Sequence, residues 1–120
     1  MAKTVLIVED DDDIRESLIE LLEEEGYVVE GVRDGAEALR NLKAAKTLPG
    51  LIILDIMMPG MNGFEFRQAQ EADPSLAHIP VVVMTADAHA EAKKLKLGAQ
   101  ALLKKPLQIE ELIRIVERFT

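Results

Sequence analysis

Short apolar runs alternate along the chain with segments in which apolar residues recur at helical spacing. The first run covers residues 5–8, and the first helical segment covers residues 13–25. One face of that segment carries four apolar residues at i, i+4, i+7 and i+8, namely Ile14, Leu18, Leu21 and Leu22. Asp13 followed by Glu16 fits a capping box at the start of this helix, and Gly26 fits its end. The pattern therefore predicts a strand followed by an amphipathic helix.

The same alternation continues to the end of the sequence. Further strands are predicted to begin at Tyr27, Leu51, Val81 and Ala101. Further helices are predicted over residues 35–46, after a cap at Asn62, and over 88–97 up to Gly98. A last helix has the apolar stripe Ile109, Leu112, Ile113 and Val116. The segment 51–54 is a continuous apolar run, which indicates a strand buried on both faces.

Five strand–helix units in succession indicate a parallel sheet with helices on both of its faces. We therefore predict an α/β fold of the (βα)₅ type, a doubly wound, flavodoxin-like, five-stranded sheet. The usual strand order in such a sheet is 2-1-3-4-5, with strands one and three adjacent. With 120 residues, residues 1–120 are expected to form one domain.

Composition narrows the classes of function. The formal net charge of −8 argues against nucleic-acid binding and against binding to an anionic membrane surface through this domain. The absence of cysteine excludes thiol catalysis and disulfides and fits a cytoplasmic protein. No stretch approaches the ~20 apolar residues of a membrane span. His78 and His89 lack the spacing of metal ligands and are interpreted as surface residues.

The polar residues that suggest chemistry follow the predicted strands directly. They are Glu9 and Asp10 after strand one, Asp55 after strand three, Thr85 after strand four and Lys105 after strand five. The carboxyl ends of parallel strands share one edge of the sheet, and ligands bind at that edge. Clustered carboxylates suit a hard divalent cation such as Mg²⁺, and a hydroxyl and an ammonium group beside it suit a phosphoryl group. The acidic residues 11–13 are interpreted as a solvated run that leads into the helix cap.

Four motifs in order resemble the receiver domain of response regulators in two-component phosphorelay signalling. They are Val8-Glu9-Asp10-Asp11, the loop from Leu54 to Gly63, Met84-Thr85-Ala86 and Lys104-Lys105-Pro106. Each motif alone is weakly specific, but the four in this order and spacing are highly specific, and the resemblance covers the whole chain.

The resemblance implies a role for each matching residue. Asp55 would accept the phosphoryl group and bind Mg²⁺, which is the implied cofactor. Asp10 would bind the metal directly, Glu9 mainly through water, and Met57 through its backbone carbonyl. Thr85 would hydrogen-bond the phosphoryl group, and Lys105 would pair with one of its oxygens. The donor would be a sensor histidine kinase or a histidine phosphotransfer protein.

The sequence departs from the family at one position. Where the family usually has an aromatic switch residue, three positions before the lysine, this chain has Leu102. Rotation of an aromatic ring therefore cannot report phosphorylation in this chain, whereas the expected phosphoryl acceptance does not depend on this position. Met57 and Asp87, which the resemblance places beside the attacking water, are expected to tune dephosphorylation.

Other functions remain open at this point. A Mg²⁺-dependent phosphohydrolase would usually have an acid/base carboxylate two residues after its nucleophile, but Met57 stands there. A binding module that is never phosphorylated is supported only by Leu102. The receiver interpretation predicts no turnover beyond self-phosphorylation and self-dephosphorylation. A partner or homodimer face near helices four and five is an alternative to core packing for Ile115 and Phe119.

Overall fold

The computed structural model describes residues 3–55, 63–85, 98–104 and 108–120. These residues contain five strands: β1 Thr4–Val8, β2 Val28–Val32, β3 Leu51–Asp55, β4 Val81–Thr85 and β5 Ala101–Lys104. They also contain four helices: α1 Asp12–Glu24, α2 Gly35–Ala44, α3 Gly63–Ala72 and α4 Ile109–Phe119. None of these helices is both long and apolar enough to cross a membrane. The helix predicted over 88–97 and the cap predicted at Asn62 lie outside the described residues.

The five strands form one parallel sheet in the order β2-β1-β3-β4-β5. This confirms the predicted class and strand order. β3 lies at the centre of the sheet and is buried along its whole length, as its continuous apolar run predicts. β1 and β3 are direct neighbours, so the residues that follow them come together at one edge.

Alternate residues of the buried strands pack on opposite faces of the sheet, because successive strand side chains point in opposite directions. One face carries Leu6, Ile52, Leu54 and Val83 and packs against Ala38 and Leu42 of α2 and Phe66 of α3. The other face carries Val5, Ile7, Ile53 and Val82 and packs against Leu18 and Leu22 of α1 and Leu112 and Val116 of α4. Helices therefore cover both faces, as a doubly wound fold requires.

At the two ends of α1, the predicted N-terminal cap is wrong, whereas the predicted end at Gly26 agrees with the structure. The N-terminal cap is Asp11, whose side chain accepts a hydrogen bond from the Ile14 backbone N–H at 2.9 Å; the predicted cap, Asp13, lies in the first turn instead. Asp11, Asp12 and Asp13 can each serve as a cap, so the sequence does not identify which one does. Gly26 follows the helix with φ +94°, a left-handed conformation that a side chain disfavours.

The buried faces of two helices differ in part from the predicted stripes. On α1, Ile19 packs against the core beside the buried Leu18 and Leu22, while Leu21 is only half-buried. On α4, Leu112 and Val116 are buried as predicted, but Ile109 is 56% exposed. Ile115 and Phe119 pack against the core instead, which favours the core-packing interpretation of these two residues.

A buried polar network joins α3 to the segments that follow it. The Gln70 amide nitrogen donates to the backbone carbonyls of Leu76 and Ile79, at 2.9 and 3.0 Å. Arg67 donates to the Gln70 amide oxygen at 2.8 Å and to the Gly98 carbonyl at 3.3 Å. Because unpaired buried polar groups are costly, this network fixes the approach of the chain to β4 and β5.

Candidate functional site

The register of the sheet brings the polar strand ends to one edge. Val8 of β1 is the partner of Leu54 of β3, so Glu9 and Asp55 follow at the same level. Asp55 is in turn the partner of Met84, one residue before Thr85. The residues predicted to act together after strands one, three and four therefore share the carboxyl edge of the sheet.

Three carboxylates converge at this edge. One carboxylate oxygen from each of Glu9, Asp10 and Asp55 lies within 4.8 Å of the others. Glu9 and Asp55 are buried, at 0% and 4% exposure, whereas Asp10 is exposed. The cluster therefore has a closed side within the protein and an open side through which a ligand can enter.

The donor set of this cluster fits a hard divalent cation. At an effective dielectric constant of about 20, two like unit charges ~5 Å apart repel by roughly 3 kcal/mol. A divalent cation among the carboxylates replaces this repulsion by attraction. Mg²⁺ takes oxygen ligands, commonly one or two carboxylates together with waters and phosphate oxygens. Glu9, Asp10 and Asp55 offer only oxygen ligands, and Asp10 is exposed to solvent, so water and phosphate oxygens would complete the coordination.

The loop that carries Glu9 and Asp10 is held by hydrogen bonds along its backbone. The Glu9 N–H donates to the carbonyl of Val32 at 3.0 Å, and the Asp11 N–H donates to the Glu9 carboxylate at 3.5 Å. The Arg15 guanidinium donates to the Glu9 carbonyl at 3.0 Å and pairs with Asp12. The hydrogen bond from Arg15, and then its positive charge, lower the pKa of Asp12. Asp12 therefore stays ionised and helps to keep Arg15 in place.

Thr85 is buried at the end of β4, at 1% exposure, and its register partner is Lys104 of β5. Lys105, predicted to pair with a phosphoryl oxygen, follows that partner directly in the chain; Lys105 and Met57 lie outside the described residues. Leu102 of β5 is partly buried and packs against the core on the face that α2 and α3 cover. Among the predicted site residues that the structure describes, Glu9, Asp10 and Asp55 lie close together, and Thr85 shares their edge.

No role in the site was predicted for Arg15 from the sequence, although its guanidinium contacts the backbone of the acidic loop. The signal that could have identified it was its position. A cation in the first turn of a helix opposes the helix dipole and needs a compensating contact, and an acidic run precedes it here. The Arg67–Gln70 network was also missed, because its contacts depend on loops distant in sequence.

Fold and site together define a doubly wound α/β domain with an acidic cluster at the carboxyl edge of its sheet. The family model described as the response regulator receiver domain matches residues 5–117. The chain therefore belongs to the family of response regulator receiver domains, the phosphorelay modules of two-component systems. This finding confirms the resemblance carried by the four motifs.

Individual relatives agree with this assignment. The response regulator MprA of Mycobacterium ulcerans is 40% identical over 116 residues, which are 94% of this chain and 48% of that protein. The chain thus spans about half the length of this relative.

Solved structures are similar over nearly the whole chain. The chemotaxis response regulator CheY4 of Vibrio cholerae is 33% identical with a TM-score of 0.90, covering 100% of both chains. The signal receiver domain of a signal transduction histidine kinase from Syntrophus aciditrophicus is 38% identical with a TM-score of 0.88, covering 98% of this chain and 89% of that chain.

Proposed function

We propose that this protein is a phosphoryl-accepting signalling switch in which Asp55 takes a phosphoryl group from a phosphohistidine. The donor is a sensor histidine kinase or a histidine phosphotransfer protein. The observation that carries the proposal is the convergence of the Glu9, Asp10 and Asp55 carboxylates within 4.8 Å in a chain of the receiver family.

The transfer balances as a single displacement. A carboxylate oxygen of Asp55 forms a bond to phosphorus while the bond from phosphorus to the donor imidazole nitrogen breaks. The imidazole nitrogen keeps the electron pair of the broken bond. Mg²⁺, when bound, neutralises negative charge on the phosphoryl oxygens and on the carboxylates. A carboxylate suits this chemistry as the nucleophile because it attacks through an oxygen lone pair and, unlike a hydroxyl, has no proton that a general base must remove.

Each residue of the site has a proposed contribution. Asp10 and Asp55 would hold Mg²⁺ directly, the Met57 carbonyl would add a backbone ligand, and Glu9 would act mainly through water. Lys105 pairs with a phosphoryl oxygen. These assignments rest on the residue-by-residue match to the family and, for the three carboxylates, on their proximity.

Output is proposed to begin at Thr85. Its hydroxyl would hydrogen-bond the phosphoryl group and draw the end of β4 toward Asp55. Leu102 replaces the usual aromatic residue, so the response would pass through the aliphatic packing of β4 and β5 rather than through rotation of a ring. The changed surface binds a downstream protein or a second copy near the predicted helices four and five, at a cytoplasmic location.

The test uses a small donor that contains a P–N bond, phosphoramidate, with ³¹P NMR as the readout. The proposal predicts an acyl phosphate resonance that requires Mg²⁺ and disappears with hydroxylamine. Rapid turnover of p-nitrophenyl phosphate would instead indicate a phosphohydrolase. If Mg²⁺ binds but no acyl phosphate forms from phosphoramidate or from phosphorylated histidine phosphotransfer domains, the chain is a binding module and the proposal is wrong.

A further inference from the structure

Arg15 is the fourth residue of α1, close to the helix N-terminus, which is an unfavourable place for a cation. The helix dipole places partial positive charge at that end, and the side chain is only 13% exposed. A charge that is largely removed from water in such a place requires specific compensation. Two groups supply it: the Asp12 carboxylate and the backbone carbonyl of Glu9.

The contact with Glu9 involves the peptide that joins two residues of the acidic cluster. The Arg15 Nη1 lies 3.0 Å from the Glu9 carbonyl oxygen, which belongs to the peptide between Glu9 and Asp10. The N–H on the other side of Glu9 donates to Val32 at 3.0 Å. Both peptide groups of Glu9 are thus held, which fixes the direction in which the Glu9 side chain leaves the backbone and the position of the Asp10 Cα that follows.

The neighbouring strand is shaped to accept the Arg15 side chain. A Cβ atom at Gly31 of β2 would lie 3.0 Å from both Cγ and Cδ of Arg15 and 2.7 Å from Cδ1 of Ile19. The absence of a side chain at Gly31 allows the arginine methylenes to lie against the strand. From this position the guanidinium group reaches the Glu9 carbonyl, so the local sequence supports this one conformation.

We infer that Arg15 is a positioning residue of the Mg²⁺ site, which rests on the proposed function. By holding the peptide between Glu9 and Asp10, it keeps these two carboxylates in place to share a cation with Asp55. It does not contact the metal or the phosphoryl group itself. Groups that orient ligands from outside the coordination sphere commonly contribute ten- to a hundredfold to metal affinity, and about tenfold is expected here.

The sign of the effect separates positioning from simple electrostatics. Arg15 carries a positive charge close to a cation site, so removing its charge alone would tighten Mg²⁺ binding. Loss of positioning would weaken it. The matched control is Arg33, which is exposed on the loop after β2 and also contributes to lowering the pKa of Asp12. Arg33→Met removes the same charge near the same edge and leaves the hydrogen bond to Glu9 intact.

The experiment is a calorimetric titration with Mg²⁺ alone, on wild type, Arg15→Met, Arg15→Lys and Arg33→Met. Arg15→Met is expected to bind about tenfold more weakly, and Arg33→Met as tightly as wild type or more tightly. Arg15→Lys keeps a donor and should recover part of the affinity. The ¹³C resonance of the Glu9 carbonyl in the metal-free protein should move in Arg15→Met and stay in place in Arg33→Met.

Binding of Mg²⁺ by Arg15→Met at or above the wild-type affinity, or an unmoved Glu9 carbonyl resonance, would overturn the inference and leave the proposed function standing. Failure of the wild type itself to bind Mg²⁺ would overturn both. If Arg15→Met does not fold, Arg15→Gln takes its place with the same expected outcomes.

Discussion

Val8 of β1 and Leu54 of β3 are partners in the parallel register of the sheet. Glu9 directly follows Val8, and Asp55 directly follows Leu54. The pairing of these two apolar residues therefore places the two buried carboxylates beside each other at the end of the strands. Asp10 joins them from the start of the loop. The core and the site are therefore linked, since the same alternation that buries the strands also places the acidic residues at their ends.

The first prediction concerns metal binding and stability. A ligand that binds only the folded state, at ten times its dissociation constant, stabilises it by about 1.4 kcal/mol, or roughly 5 °C in the melting temperature of a domain of this size. We expect Mg²⁺ to raise the melting temperature of the wild type by about this amount and to have little effect on Asp10→Asn. Differential scanning calorimetry with and without EDTA measures both. The control is Asp13→Asn, an exposed residue beside the loop, which should respond as the wild type does; an equal response of Asp10→Asn would argue against the site.

The second prediction separates phosphoryl acceptance from the response to it. Thr85→Val replaces a buried hydroxyl by a methyl group of similar size. The variant should still gain one phosphoryl group, because Asp55 and the other carboxylates are unchanged. Its amide resonances in β4 and β5 should move much less on phosphorylation than those of the wild type. Thr85→Ser keeps the hydroxyl and should behave as the wild type; a full response in Thr85→Val would rule out Thr85 as the start of the output.

The third prediction concerns the network between α3 and β4. Gln70→Ala leaves the carbonyls of Leu76 and Ile79 and one donor of Arg67 without their present partner. We expect a loss of about 2–4 kcal/mol in the free energy of unfolding, measured with urea. Gln68→Ala, at an exposed position on the same helix, should change stability by less than about 0.5 kcal/mol. Equal values for the two variants would show that the network contributes little.

The fourth prediction is a pH dependence outside the site. The hydroxyl and then the backbone N–H of Ser75 donate to the Asp73 carboxylate at 2.7 and 3.0 Å and lower its pKa. A lowered pKa in the folded state stabilises the fold above the unfolded value of about 3.9, and the gain disappears as the pH falls through the folded pKa. Ser75→Ala should therefore raise the Asp73 pKa in a ¹³C NMR titration. The free energy of unfolding of Ser75→Ala should lie below that of the wild type by a constant amount at neutral pH, and this difference should shrink below about pH 4. Ser17→Ala is the control; an Asp73 pKa that does not change in Ser75→Ala would contradict the assignment.

The sheet could be predicted from the sequence because the apolar pattern that defines each strand and helix is local and periodic. Continuous apolar runs such as 51–54, separated by helical patterns, define a parallel sheet, and the strand order then brings Asp10 and Asp55 together. Their proximity in the structure agrees with that expectation. The chemistry assigned to each residue came from the family resemblance and remains a proposal.

Other features depended on contacts that periodicity does not encode. Asp11 rather than Asp13 caps α1. Aspartates at neighbouring positions have the same capping ability, so the direction in which the chain enters the helix decides which of them is the cap. On α4, Ile115 packs against the core while Ile109 is exposed, because a short helix with apolar residues on neighbouring faces can be rotated without breaking its pattern. Arg15 was missed because its contact with Glu9 is an interaction between a side chain and the backbone.

The central claim is that Asp55 accepts the phosphoryl group, and the most direct measurement is the intact mass after incubation with Mg²⁺ and acetyl phosphate. The wild type and Asp13→Asn should each gain the mass of one phosphoryl group, while Asp55→Asn and the wild type in EDTA should gain none. A full gain by Asp55→Asn would place the phosphoryl group on another residue, and no gain by folded, Mg²⁺-bound wild type would contradict acceptance from small donors.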